Sequence, residues 1–526
     1  MPSARTLIFT LLFALILTGC RAAPAPDVPA TLAPATLAPA TLAPTATRPS
    51  PPTPRSSPLA TRPSPPAPER DLFRAGLVSA AQAALDELPG ATFYQMQLEI
   101  GAPPTRVNGR LTVHYTNRED GALDAIFFHL FPNLLGGRIA VTDVRVDGTA
   151  VAVDDSGGVL RVPLAAPLPP GGQVTLTMAF QTDVPRDSDR NYGILVYADN
   201  VLTLAHFYPM TAVYDATGWN VDAPPPYGDV TYADSSFYLV ELTVDAGQVV
   251  VASGVAVDAQ VAGGRQTITY AGGPQRDFYL ALSPDYEVVS ASVGETVINS
   301  YAPAALLDGA RVALDTAAAA LEIFAARFGP YPYTELDLVA TPTLALGVEY
   351  PGVIANSQRL YNLQAAPFGL PNVVILESTT AHEVGHQWFY NLVGNDQVDE
   401  PWLDESLTQY ATWRYYLDRY GPEAAAGFRA SLEARWARVD MAEIPIGQPV
   451  AAYDGAAYSG IIYGRGAFFF EALAERMGPE TFDAFLHAYT TTYRWEIADT
   501  AAFQTLAENS CNCDLSNLFA EWVYAR

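Results

Sequence analysis

The stretch Thr380-Ala381-His382-Glu383-Val384-Gly385-His386-Gln387-Trp388, with Pro401-Trp402-Leu403-Asp404-Glu405-Ser406 after it, decides how this chain is read. Two histidines four positions apart in helical text lie on one face, about one turn from each other, which is the spacing a single metal ion needs. Past a loop around Gly394-Asn395-Asp396 the helical pattern resumes. A second helix returning beside the first can bring Glu405, nineteen positions after His386, to the same ion. Two His and one carboxylate, with a fourth position left to water, form the ligand set of a catalytic rather than a structural zinc. A bare HExxH also arises by chance in a helix with two incidental histidines; the carboxylate downstream separates the two cases.

Upstream, Ala304 to Phe328 carries Ala, Leu and Phe at helical spacing and is stopped by Gly329-Pro330. A short strand follows at Leu336 to Ala340, and the text beyond the motif stays helical to Arg526. Residues 298–526 therefore form one mainly helical domain with a small sheet. Ala91 to about Ser290 instead consists of short alternating runs broken by Gly, Pro and Asp turns, such as Gln173-Val-Thr-Leu-Thr-Met-Ala-Phe. A short amphipathic helix from Asp71 to Leu88, stopped by Pro89-Gly90, leads into it. The expected fold is α+β, with an all-β, sandwich-like domain over 71–297 ahead of the helical domain. His114, His129 and His206 lie in or near strands and read as structural.

Residues 21–70 turn to Pro, Ala, Thr and Ser, with ATLAP three times from Ala30 to Pro44 and RPSPP twice. Such a segment cannot bury a core and reads as a disordered linker, either a stalk or a tail without a spacing role. Residues 1–20 have the form of a secretory signal, with Arg5 ahead of the apolar run Leu7 to Leu17, too short to span a bilayer comfortably. The run ends in Leu17-Thr18-Gly19-Cys20, which resembles the lipobox of bacterial lipoproteins. The resemblance implies cleavage before Cys20, lipid on that cysteine and an extracytoplasmic, membrane-anchored protein at the cell surface. An ordinary signal peptide with an incidental cysteine also places the mature chain outside the cytoplasm. Every basic residue is Arg; 29 of them against 56 acids give a formal charge of -27, a field that excludes nucleic acid as a partner. With three cysteines no disulfide scaffold is expected. Cys511-Asn512-Cys513 is compatible with a small disulfide ring, two thiols or a packing role.

The text HEVGHQWFYNLV followed by WLDES resembles the gluzincin metallopeptidases of the aminopeptidase N family, in a short two-domain bacterial lipoprotein form. The resemblance runs from the β-domain to the end of the chain. It implies a thermolysin-like catalytic domain with one Zn2+ held by His382, His386 and Glu405, and Glu383 as the general base. In Tyr458-Ser-Gly-Ile-Ile-Tyr463-Gly464-Arg465-Gly466, Tyr463 looks like the oxyanion-binding tyrosine of the family's Tyr-x-Lys-Gly element, with Arg465 in place of Lys. Gly347-Val348-Glu349-Tyr350 resembles the substrate-binding Gly-x-Met-Glu-Asn element, whose Glu captures the free α-amine. Tyr350 replaces the Asn, and the family's glutamine-containing element of the β-domain has no visible counterpart. The implied partners are peptide substrates and the implied reaction is release of N-terminal residues. An endopeptidase and a catalytically inactive surface binding protein are the competing expectations; the presence of every ligand, the base and the tyrosine weighs against the second.

Overall fold

The computed structural model describes residues 70–524 except Pro224 and Pro226. The expected signal sequence, Cys20 and the Pro-rich segment up to residue 69 lie outside the described residues. Among the described residues, no helix is long and apolar enough to cross a membrane.

The alternating text folds into strands as expected. Arg106–Thr116 and Gln173–Asp183 bury every second residue, pair with each other, and sit inside an eight-stranded sheet. The alternation gives that sheet one apolar face. It closes over two four-stranded sheets, one holding Leu123–His129 and Val159–Leu168 and the other Val201–Leu204 and Leu280–Ser283. Leu111, Phe128, Val162, Leu176 and Leu202 fill the core between the layers.

A further sheet of five strands runs Tyr286–Val293, Thr296–Pro303, Glu335–Thr341, Val353–Ser357, Glu349–Tyr350. The parallel pairs 296–303 with 335–341 and 335–341 with 353–357 need crossovers, and the first is made by helix α1, Leu307–Phe328. Gly329, at φ 100°, ends α1 where the sequence places the stop. Glu349–Tyr350 is the antiparallel edge strand. Three helices follow, α2 (Asn372–Gly385) packed on α3 (Leu407–Tyr420) and α3 on α4 (Pro422–Trp436). The α+β expectation holds, with strands first and helices after.

The leading segment departs from expectation. Residues 70–88 are not one amphipathic helix but two 3-10 turns, Arg70–Gly76 and Ser79–Ala81, and one α turn, Ala84–Glu87. Between them Leu77 bridges Tyr333, and the Val78 N–H donates to Pro332 O at 2.9 Å. Of the apolar residues that suggested a helix, Phe73, Leu77, Ala81, Ala84, Leu85 and Leu88 are buried all the same, while Leu72 is exposed. Their periodicity marked burial, and tertiary pairing chose the backbone. The two cysteines left open by the sequence, Cys511 and Cys513, are joined in a disulfide.

One arginine ties the two halves together. The buried guanidinium of Arg276, from the β-rich half, donates to Ala233 O at 2.9 Å, to Glu496 O at 2.6 Å and to Tyr390 O. Tyr390 lies in the turn that follows the HExxH helix, so the β-half holds that turn directly.

Candidate functional site

His382 and His386 sit at the end of α2, and Glu405 lies on a π-helical turn, Trp402–Ser406, that runs into α3. α2 and α3 can approach because position 385 is glycine: a Cβ there would lie 2.8 Å from Thr408 Cγ2. The close approach brings three ligand atoms together. His382 Nε2 is 3.1 Å from Glu405 Oε2 and 3.1 Å from His386 Nε2, and His386 Nε2 is 3.4 Å from the same oxygen. Ligands about 2.0–2.1 Å from a tetrahedral zinc are separated by roughly 3.3 Å, so the triad already has the edge lengths of that polyhedron. His386 Nδ1 donates to Phe389 O at 3.0 Å, which leaves the Nε2 lone pair free for a metal. The donor set fits a divalent ion of the zinc class, and the same three residues form a potential metal-binding group by proximity.

Electrostatics support the same conclusion. Burial pushes Glu383 well above the usual carboxylate range, and the charges of Glu349 and Glu405 push it further. Burial raises Glu349 as well, against the pull of His386. Burial would raise Glu405 too, but its bonds with His382 and His386 hold it well below the ordinary range. Burial takes His382 down to about 4 in spite of its bond to Glu405, while the carboxylates around His386 outweigh burial and hold it well above its usual value. A buried knot of acids sharing two imidazoles is an environment that a dication relieves.

The remaining expected residues gather at the same place. Glu383 packs against the backbone of Gly347; a Cβ on Gly347 would lie 2.7 Å from its Cδ, so only glycine lets the edge strand pass. Gln387 fastens that strand, donating to Tyr350 O at 3.1 Å and accepting from the Gly352 N–H at 3.0 Å. Glu349 is thereby buried beside His386. Tyr350, in the place of the family's Asn, stacks on Tyr279 of the β-half with ring centroids 3.9 Å apart, so it packs away from its neighbour Glu349. Tyr463 stands on a second π-helical turn, Ile461–Arg465, and its hydroxyl donates to Glu405 Oε1. The two π turns are stapled by Ser406 Oγ donating to Ile462 O at 2.7 Å. Arg465 is not at the site: it donates to Ile444 O and Trp522 O and covers the Trp522 ring.

Four residues of the site were not legible in the sequence. Gln397 donates to Glu349 Oε1 at 2.9 Å and to Asp404 Oδ2 at 2.8 Å, and so fixes both carboxylates. Asp404 is fully buried, its carboxyl raised to about 8 by burial and by Glu405. Asp229 comes from a β-half loop, close enough to Glu349 and Glu405 for burial and their charge to hold it well above its usual value. The loop leans on the helical half through Gly228, at φ 80°, where a Cβ would lie 3.2 Å from the Tyr458 hydroxyl. Arg435, at the end of α4, faces the Tyr463 ring. The three β-half histidines stay apart from the metal triad: His206 bonds Thr231, His129 bonds Asn220 O and His114 stacks on Phe93.

Residues 312–522 match the peptidase family M1 domain. The chain is 26% identical over 284 residues to aminopeptidase M1-B of Oryza sativa subsp. japonica, covering 50% of this chain and 31% of that protein. It is 24% identical over 277 residues to probable aminopeptidase 2 of Sulfurisphaera tokodaii, covering 51% of this chain and 35% of that protein. The chain thus spans about a third of the length of the curated relatives it matches. The crystal structure of an M1 zinc metallopeptidase from Deinococcus radiodurans has the same fold, with a TM-score of 0.63 at 21% identity over 82% of this chain and 94% of that one. A two-domain M1 zinc metallopeptidase mutant bound to L-tryptophan superposes with a TM-score of 0.64 at 21% identity, over 83% and 95% of the respective chains. Residues 312–522 are thus similar to the peptidase family M1 domain, and the described chain shares the fold of these two-domain structures.

Proposed function

We propose that this protein is a zinc-dependent aminopeptidase that removes N-terminal residues from peptides outside the cytoplasm. The observation that carries the reading is the convergence of His382, His386 and Glu405, with Glu383 and Tyr463 beside them and Glu349 one strand away. One zinc ion held by the triad supplies a lowered water pKa and a polarised scissile carbonyl. Glu383, raised by burial and neighbouring charge, takes the proton of the attacking water and hands it to the leaving amine. The Tyr463 hydroxyl turns from Glu405 to donate to the oxygen on which negative charge develops. Glu349 accepts the substrate's ammonium group, its carboxylate held by Gln397. The edge strand offers main-chain partners to an extended peptide.

The similarity to the peptidase family M1 domain and the names of the relatives, aminopeptidases among them, support this reading. Location outside the cytoplasm, with a lipid on Cys20, is supported by the apolar run Leu7 to Leu17 and by Leu17-Thr18-Gly19-Cys20. Cys20→Ala should move the protein from the membrane fraction to the soluble fraction, and an unchanged distribution would remove the anchor. The test of the activity is a peptide pair differing only in N-terminal acetylation. Cleavage of the free-amine peptide alone supports an aminopeptidase, and equal cleavage of both turns the reading to an endopeptidase.

A further inference from the structure

Glu349 and Asp404 lie beside His386, each offering an oxygen within 4.8 Å of the other and of its imidazole, while Asp229 is bonded to Glu405. Arg435, in the last turn of α4, lays its guanidinium over the Tyr463 ring, 5.6 Å from the centroid. The Tyr463 ring lies 6.2 Å from that of His382, and Arg435 is close enough to His382 and Glu405 for their charges to be felt. Glu349 thus lies beside His386 and Arg435 beside Tyr463.

Arg435 differs from the arginines that pair with an acid and from Arg276 and Arg465, which are held by backbone carbonyls. Arg327, Arg419 and Arg429 each hold a carboxylate at 2.5–2.8 Å. Among the described residues no carboxylate pairs with Arg435; the Tyr463 ring, the more distant charge of Glu405 and the like charge of Arg438 are what surround it. Among the described residues no carboxylate or carbonyl is bonded to this partly buried guanidinium, which leaves its donors available to an anion. Its planar fork matches a carboxylate with two parallel hydrogen bonds.

We propose that Arg435 receives the C-terminal carboxylate of a short peptide whose ammonium group sits at Glu349, so that di- and tripeptides are the preferred substrates. The inference rests on the aminopeptidase reading and adds the length and the free C-terminus of the substrate. Geometry sets the length. Tyr463 marks the scissile carbonyl, the guanidinium is one ring away, and an extended residue spans about 3.3–3.6 Å, so one or two residues past the cut bring a carboxylate to Arg435.

The test uses the zinc-loaded protein and four peptides of one sequence: a free tripeptide, its C-terminal amide, its N-acetylated form, and a pentapeptide extended at the C-terminus. The free tripeptide should exceed both the amide and the pentapeptide in kcat/KM by about tenfold or more, the scale of one lost charge-assisted bond. Arg435→Gln should raise KM for the free tripeptide and bring the acid-to-amide ratio to about 1. Equal turnover of acid, amide and pentapeptide by the unaltered protein overturns the carboxylate site while leaving the aminopeptidase reading intact. An equal fall for acid and amide in Arg435→Gln also overturns it, since it would show an arginine that only supports Tyr463. Equal cleavage of the acetylated peptide, or no cleavage of any, overturns the aminopeptidase reading and this inference with it.

Discussion

Gln397 sets the chemistry of two carboxylates with a single amide group. Its two N–H bonds hold Glu349 and Asp404, all three side chains being buried. Gln397→Leu keeps the bulk and removes the donor, which leaves two buried acceptors short of a partner. Losing such a bond to a charged group costs about 1.5–3 kcal/mol, so kcat/KM for free-amine substrates should fall by roughly 10- to 100-fold with bound zinc unchanged. Kinetics beside metal analysis checks this. Farther back, Asp277 is buried 3.5 Å from His206, and burial raises its carboxyl to about 8. Below pH 4 both the folded and the unfolded chain hold that proton; between pH 4 and 8 only the folded chain does, so the stability the proton confers declines as pH rises through that window. His206, lowered to about 4 by burial, opposes the decline up to its unfolded value near 6.5. From pH 6.5 to 8 the Asp277 effect stands alone. Urea unfolding should show the parent losing about 1–2 kcal/mol relative to Asp277→Asn over that interval. Residues such as His382, Glu383 and His386 were legible because their chemistry is written within one helical turn. Gln397, Asp229 and Arg435 were not, because each acquires its role from a partner that only the fold brings near.

The catalytic elements depend on two π-helical turns meeting. Glu405 and Tyr463 each stand on one, and extra residues in a helical turn re-aim side chains at the point where they occur. Gly466 permits the contact: a Cβ there would lie 2.5 Å from Ser406 Cβ. Gly466→Ala should push the turns apart, cost about 1–3 kcal/mol in unfolding and lower kcat more than it raises KM, because the Tyr463 hydroxyl would be displaced from the site. Denaturation curves beside steady-state kinetics measure both effects. The sequence announced a second helix after the loop, which offered Glu405 as a third ligand, and named Tyr463 through a family resemblance. It did not announce the π turns, since periodicity over five residues does not distinguish them from an α-helix. The same ambiguity made residues 71–88 read as a helix, where Leu77 is instead drawn into a bridge with Tyr333.

In the whole molecule the β-rich half does more than carry the helical half. Arg276 reaches across to the backbone of Tyr390 and Glu496, Tyr279 supports Tyr350, and Asp229 enters the cleft. Arg276→Met should cost about 3–5 kcal/mol, because three carbonyls lose a buried cation and Gly394, which packs on the guanidinium, loses its support. A thermal melt would register it as a lower Tm, with activity lost alongside. The order of the two halves was plain from the change of hydrophobic period along the chain. Their joint was not, because a loop such as 227–231 carries no period and its partners in the helical half, Tyr453 and Tyr458, lie more than 200 residues away. The central claim is that Glu383 acts as the base beside a metal held by His382, His386 and Glu405. The most direct measurement is chromophore release from an aminoacyl anilide by the zinc-loaded parent and by Glu383→Gln. The account predicts turnover by the parent and, with one zinc still bound, a loss of about 10^2- to 10^4-fold in the variant. Equal rates from the two proteins would contradict it.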